Sequence, residues 1–242
     1  MDALLAFIGE HRFVLAAQAG ALLGTSEEVA RTRLRELTEA SYLIEQPVLP
    51  GQPAAYRITR LGLDVIGSRL RALRISPMNY WHDVGAAWLW LAARSGAFGP
   101  VREVIAERVM RSRDARGIDA PFGVRLGGVG RDGRERLHYP DLLFVDCEGR
   151  RVAIELEITG KSPSAREKIL AGYAADPQIA RVVYVVYKPQ VAHALCASVT
   201  RLGISSLVAV HVVRPPDRPH LDAARARGIT RRDQRQAGAL AR

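Results

Sequence analysis

Three carboxylates in the second half of the chain are spaced for joint chemistry. Pro140-Asp141 opens one expected strand, Tyr139 to Val145, and Glu155-Leu156-Glu157 lies on the next, Arg151 to Thr159. Residues two apart on a strand point to the same side, so Glu155 and Glu157 share a face. The tight turn Glu148-Gly149-Arg150 between the strands folds Asp141 back beside them. Such a group repels itself and is neutralised by a cation or by Arg or Lys. Oxygen-only ligation suits Mg²⁺ or Mn²⁺, and hard cations of this kind serve phosphodiester hydrolysis. Lys161, four residues beyond Glu157, is the expected internal cation, and His138, three before Asp141, is close enough to line the site. The alternative is a purely structural network in which Arg125, Arg151 or Lys161 holds the acids in salt bridges.

A second set of residues suggests contact with nucleic acid. Thr25-Ser26-Glu27-Glu28 has the spacing of a capping box, with Thr25 capping a helix and Glu28 reaching back to it. That helix is expected to run to about Ala40, with Ala30, Leu34 and Leu37 as its buried stripe. The opposite face carries Glu28, Thr32 and Arg35, flanked by Arg31 and Arg33. Two short helical stretches precede it, Ala3 to Ile8 and Val14 to Leu23. Two strands follow, Tyr42 to Ile44 and Ala55 to Ile58, then a helix from Leu61 to about Leu73. This is the order of a winged helix-turn-helix, whose third helix enters the DNA major groove, where Arg can donate a bidentate pair to guanine. Arg31, Thr32, Arg33, Arg35 and the hairpin residue Arg57 are the expected DNA contacts. The loop from Pro47 to Pro53 carries no Lys or Arg, so a helical unit used only for protein contacts is the competing reading.

The intervening and following elements have to position these groups. Residues 78–115 read as helical: Trp81, Val84, Trp88 and Leu91 repeat as a buried face, and Val101 to Met110 forms a second amphipathic stretch. From Pro121 the period changes. Strands are expected at Pro121 to Leu126, Tyr139 to Val145, Arg151 to Thr159, Val182 to Tyr187 and Leu207 to Val213, with helices at Ala165 to Ala175 and Gln190 to Leu202. Gly127-Gly128-Val129-Gly130 reads as a flexible turn, since it lacks the strand–loop–helix setting of a phosphate cradle.

Pro140-Asp141, thirteen residues, and then Glu155-x-Glu157 in this order of elements resembles the PD-(D/E)xK nuclease superfamily. The resemblance implies that Asp141 and Glu155 bind the metal. It also implies a lysine at position 157, where this chain has glutamate, leaving Lys161 or Lys168 to reach the site. A wider resemblance, over residues 5–213, is to replication-relaxation family proteins. It rests on the winged-helix order, Tyr80-Trp81-His82-Asp83-Val84, Pro140-Asp141, Ala153 to Thr159 and Arg166-Glu167-Lys168-Ile169-Leu170-x-x-Tyr173. It implies a DNA-binding protein of a bacterial plasmid or integrative element.

Composition bounds these readings. The 242 residues carry 35 Lys and Arg against 25 Asp and Glu, a net charge of +10, and all but three of the cations are arginine. Residues 1–70 carry a net −1, 71–118 +4, 119–213 +2 and 214–242 +5, so the basic excess lies outside the first segment. A basic chain suggests an anionic partner, usually nucleic acid. Two cysteines exclude a disulfide framework and a Cys-cluster zinc site. No apolar run approaches the roughly 20 residues of a membrane span, and no secretory leader is expected, which together suggest a cytoplasmic protein. The expectation is an α+β chain: a winged helix-turn-helix over 1–75, a helical connector over 76–118, a nuclease-like α/β core with a mixed sheet over 119–213, and a loose basic tail over 214–242. The expected role is double-stranded DNA binding in transcription or replication control of a mobile element; the alternative is a Mg²⁺- or Mn²⁺-dependent endonuclease. A homodimer joined through the apolar segment 78–110 is expected to match two DNA half-sites.

Overall fold

The computed structural model describes residues 2–117, 121–130 and 133–213, so the tail expected at 214–242 lies outside it. The described chain is α+β and divides into two units between Gly99 and Pro100, inside the stretch expected to be a connector.

Unit 1 runs α1 (Asp2–Glu10), β1 (Val14–Leu15), α2 (Ala16–Leu23), α3 (Glu27–Glu39), β2 (Leu43–Gln46), β3 (Ala55–Ile58), α4 (Arg60–Val65) and α5 (Tyr80–Arg94). Its small antiparallel sheet has the order β1-β3-β2, so the first strand closes on the last. Ala30, Leu34 and Leu37 are the buried residues of α3, as its 3.6-residue period requires. The helix starts one residue later than expected: Ser26, not Thr25, caps it by accepting from Val29 N–H at 3.3 Å. Gln18 is fully buried and joins two elements; its Oε1 accepts from Leu15 N–H and its Nε2 donates to the Val84 carbonyl, both at 2.9 Å. The last helix of the hairpin region stops at Val65 rather than Leu73, because Gly67 takes a left-handed φ of 63° and closes it.

Helix α5 belongs to this unit. Phe7 of α1 packs on Trp90, with ring centroids 5.0 Å apart. Of the expected buried stripe, Val84, Trp88 and Leu91 are buried and Trp81 is 43% exposed; Tyr80 and Trp90 are buried as well. Most of the apolar face proposed for dimerisation is thus spent inside unit 1. Val101 to Met110 is not one helix either. Glu103–Ala106 forms strand β4, and α6 (Glu107–Asp114) follows it.

Unit 2 is built on a five-stranded mixed sheet, ordered β10-β9-β8-β7-β4, where β7 is Leu142–Val145, β8 Arg151–Glu157, β9 Ile179–Val186 and β10 Val208–Val212. β4, β7 and β8 are antiparallel neighbours, whereas β8, β9 and β10 run parallel. Parallel strands need crossovers, and α7 (Pro163–Ala175) and α8 (Pro189–Arg201) supply them. Ser162 caps α7, accepting from Ala165 N–H at 3.3 Å. The stretch expected as one strand followed by a glycine turn is instead a separate ribbon, β5 (Val124–Val129) with β6 (Glu135–His138). Gly172 of α7 lies so close to it that a Cβ there would meet the Arg125 carbonyl oxygen at 2.8 Å. The core between sheet and helices gathers Leu143, Ala153, Val182, Tyr184 and Val186 with Leu170, Tyr173 and Leu195.

Candidate functional site

The carboxylates expected to act together stand on and beside β8. Ala153, Glu155 and Glu157 follow one another on the same side of the strand, the side of the α7-facing core. Opposite them on β9 lie Val182, Tyr184 and Val186. Glu155 is 2% exposed and Glu157 3%. Carboxylates so far from water must be met by donors or cations, and each is. Tyr173 of α7 donates its hydroxyl to Glu155 Oε1, and His138 of β6 places Nε2 at 2.6 Å from the same oxygen. Lys161 meets Glu157 twice, donating from its backbone N–H to Oε1 at 2.9 Å and from Nζ to Oε2 at 3.2 Å. Asp141, just before β7, accepts from the Leu156 N–H at 2.7 Å and so clips the two strands together at the site.

The electrostatics follow from this crowding. Burial alone would favour a neutral Lys161, but Glu155, Glu157 and Asp141 together outweigh it and hold the ammonium above its ordinary value. Burial pushes the Tyr173 hydroxyl well up, and the charge of Glu155 pushes it further. Tyr184 is raised in the same way, by burial first and then by Glu155, Glu157 and Asp141, with Arg166 pulling against them. One field therefore covers Asp141, Glu155, Glu157, Lys161, Tyr173 and Tyr184.

The residue at 157 is acidic, and the ammonium of Lys161, four positions on, reaches it. Lys168 stands exposed on α7. Of the arginines considered as neutralising partners, Arg125 pairs with Glu135 and Arg151 donates to the Pro121 carbonyl. Tyr173 and Arg166 were not expected as members of the site. The legible signal was a polar head on an apolar stripe: Tyr173 is spaced three and four residues from Leu170 and Ile169, so its hydroxyl enters the core and must find an acceptor there.

Among the described residues, no group of three or more His, Cys, Asp or Glu side chains is arranged to hold a metal ion. Asp141 spends Oδ2 on the Leu156 N–H, and Glu155 spends Oε1 on Tyr173 and His138.

The chain matches no protein-family model, no curated protein and no solved structure.

The expected DNA contacts form a second group, in unit 1. Arg31, Thr32, Arg33 and Arg35 are all exposed on α3. Arg31 pairs with Glu27 and Arg33 with Glu36, each within the helix, and Thr32 donates back to the Glu28 carbonyl at 3.3 Å. Arg35 has no ion-pair partner among the described residues. Arg57 is half-buried on β3, opposite Ile44. Next to it on β3, Tyr56 is raised to about 12 by burial and by its hydrogen bond to Glu45, while the charges of Arg31 and Arg35 pull it down. That coupling puts the two arginines within electrostatic reach of the hairpin.

Proposed function

We propose that this chain binds double-stranded DNA through unit 1, with α3 entering the major groove. The observation that carries the reading is the outward face of α3, where Arg35 stands exposed without an ion-pair partner among the described residues and Arg31, Thr32 and Arg33 surround it. The order α1-β1-α2-α3-β2-β3, with β1 closing on β3, supports a winged helix-turn-helix. The net charge of +10 supports an anionic partner. The resemblance to replication-relaxation proteins gives the biological setting: control of transcription or replication on a plasmid or integrative element, acting as a homodimer on paired half-sites. Fluorescence anisotropy with labelled duplex tests it. Affinity falls steeply as salt rises, because phosphate contacts release counterions. The Arg31→Ala, Thr32→Ala, Arg35→Ala triple variant loses most of the affinity, Arg35→Ala alone costing about 1–3 kcal/mol. A triple variant that binds as tightly as the parent removes α3 from the interface.

Unit 2 is in this reading a nuclease-like domain whose carboxylates serve architecture. Its sheet supports the likeness: β4, β7 and β8 form an antiparallel meander and β9 joins in parallel through α7. The second reading, a Mg²⁺- or Mn²⁺-dependent endonuclease, is favoured by one observation, the gathering of Asp141, Glu155, Glu157 and Lys161 in a single field. Incubating plasmid with the protein in EDTA, Mg²⁺ or Mn²⁺ decides between them. Metal-dependent nicking that Asp141→Asn abolishes establishes the second; intact supercoiled plasmid in all three establishes the first.

A further inference from the structure

Beside the carboxylates, one buried donor is left without an acceptor. Asp141, Glu155 and Glu157 each have an internal partner, as described above. Arg166, in the first turn of α7, is 7% exposed, and its charge acts on Tyr184, the residue facing Glu155 across the sheet. Yet it pairs with none of the three acids. Its one hydrogen bond among the described residues is a long one, Nη2 to the Lys161 carbonyl at 3.5 Å, and its buried Nε has no partner. A guanidinium carries five N–H donors and no acceptor. Burying one with most of that capacity unspent is costly unless an anion meets it.

The direction of the side chain says where the anion would lie. Side chains on a helix lean toward its N-terminus, and Arg166 reaches back to Lys161, the residue before the Ser162 cap. The guanidinium therefore sits at the N-terminal end of a 13-residue helix, where the backbone dipole also favours negative charge. Exposed Ser162 and Ser164 border the same end, and Lys161 adds a second cation. Pro163 has no N–H to offer, so the arginine is the principal donor.

We infer that the N-terminal turn of α7, with Arg166 and Lys161, is a seat for one phosphate group of a nucleic-acid backbone passing the Asp141–Glu155–Glu157 cluster. The identity of the ligand rests on the DNA-binding reading; the seat itself rests on Arg166 and the helix end.

The full chain is melted in potassium phosphate and in potassium chloride at matched pH and ionic strength. Phosphate raises the parent's Tm, since an anion bound to the folded state alone stabilises it. Arg166→Met, which keeps an apolar stem in the buried position, loses the rise, and Arg166→Lys keeps part of it. Ser164→Glu guards against a variant that fails to fold. It puts a carboxylate at an exposed first-turn position, where acids stabilise a helix, so its Tm in chloride is no lower than the parent's while its response to phosphate is gone. On duplex DNA the same variant binds several-fold more weakly and its salt slope falls by about 1, the mark of one lost phosphate contact. A phosphate-dependent rise that survives in Ser164→Glu overturns the seat, as does a parent with no rise. Failure of the parent to bind duplex at low salt, with the phosphate results intact, overturns the DNA-binding reading and leaves a seat for another phosphate compound.

Discussion

Glu155 is the residue on which the candidate site turns. Its Oε1 takes both Tyr173 and His138, so removing either leaves the buried carboxylate under-satisfied. Tyr173→Phe should destabilise unit 2 by about 1–3 kcal/mol, the usual cost of an orphaned buried partner, as measured by urea unfolding. A loss indistinguishable from zero would mean that water replaces the hydroxyl at once. Lys161→Ala, which leaves Glu157 without its ammonium, should cost a comparable amount. At this scale the acids were readable because strand period and spacing place Glu155 with Glu157, and the turn returns Asp141 to them. His138 and Lys161 were readable by sequence proximity. Tyr173 showed only as a polar head on an apolar stripe and Arg166 not at all, because the packing of α7 onto the sheet carries them there, and no local rule encodes that docking.

Elements with a strong period behaved as their residues require. The stripe Ala30-Leu34-Leu37 makes α3, and the apolar run in β9 makes a strand covered on both faces. β4 was misread because Glu103 and Glu107 stand one helical turn apart, whereas pairing with β7 decides its conformation: Val104 and Ile105 are buried opposite Phe144 and Leu143. The glycines before Gly130 were misread for the opposite reason. Gly127 and Gly128, at φ of 71° and 73°, let β5 bulge and continue to Val129, opposite Glu135, instead of turning. The docking of α7 on that ribbon makes a sharp prediction. Gly172→Ala drives a methyl into the Arg125 carbonyl, and backbone cannot yield as a side chain does. A loss of about 1–3 kcal/mol is expected from the overpacking, with faster hydrogen exchange in β5 and β6; unchanged exchange there would refute the contact. In unit 1, Ser26→Ala should cost about 1 kcal/mol through the lost cap, while Thr25→Ala should cost much less.

At the scale of the molecule, buried hydroxyls make stability depend on alkaline pH. Tyr173 and Tyr184 are raised well above 10, and Tyr139 to about 12, by burial first and by neighbouring carboxylates second. A raised hydroxyl keeps its proton in the folded chain after the unfolded chain has lost it. The folded state then binds more protons, and stability falls as pH rises. The contribution is whole below pH 10 and is lost as pH climbs through the folded values. Lys161, raised above 10.5, acts in the same direction. Thermal melts should therefore show a Tm that drops steeply above pH 10, and Tyr184→Phe should flatten the drop. A parent Tm level to pH 11.5 would contradict these burials. Each unit has its own core, so Leu34→Ala, costing about 2–5 kcal/mol by cavity formation, should displace one calorimetric transition and leave the other in place.

All three tryptophans, Trp81, Trp88 and Trp90, lie on α5, and unit 2 has none. The chain thus carries its own label for one unit. Indole fluorescence reports unit 1 alone, while phenolate absorbance in alkali mixes Tyr42, Tyr56 and Tyr80 of unit 1 with Tyr139, Tyr173, Tyr184 and Tyr187 of unit 2. The division also has a direction in time. The described residues of unit 1 are contiguous in the chain and end at Gly99, so on a ribosome they can close before any strand of the large sheet is made. The partners of Glu155, by contrast, come from as far apart as His138 and Tyr173, and its parallel neighbour β9 is made later still. Distant pairings of that kind fold slowly. Indole fluorescence should recover first on refolding, well ahead of the secondary-structure signal of the sheet, and a nascent chain stalled before unit 2 should already present the finished face of α3.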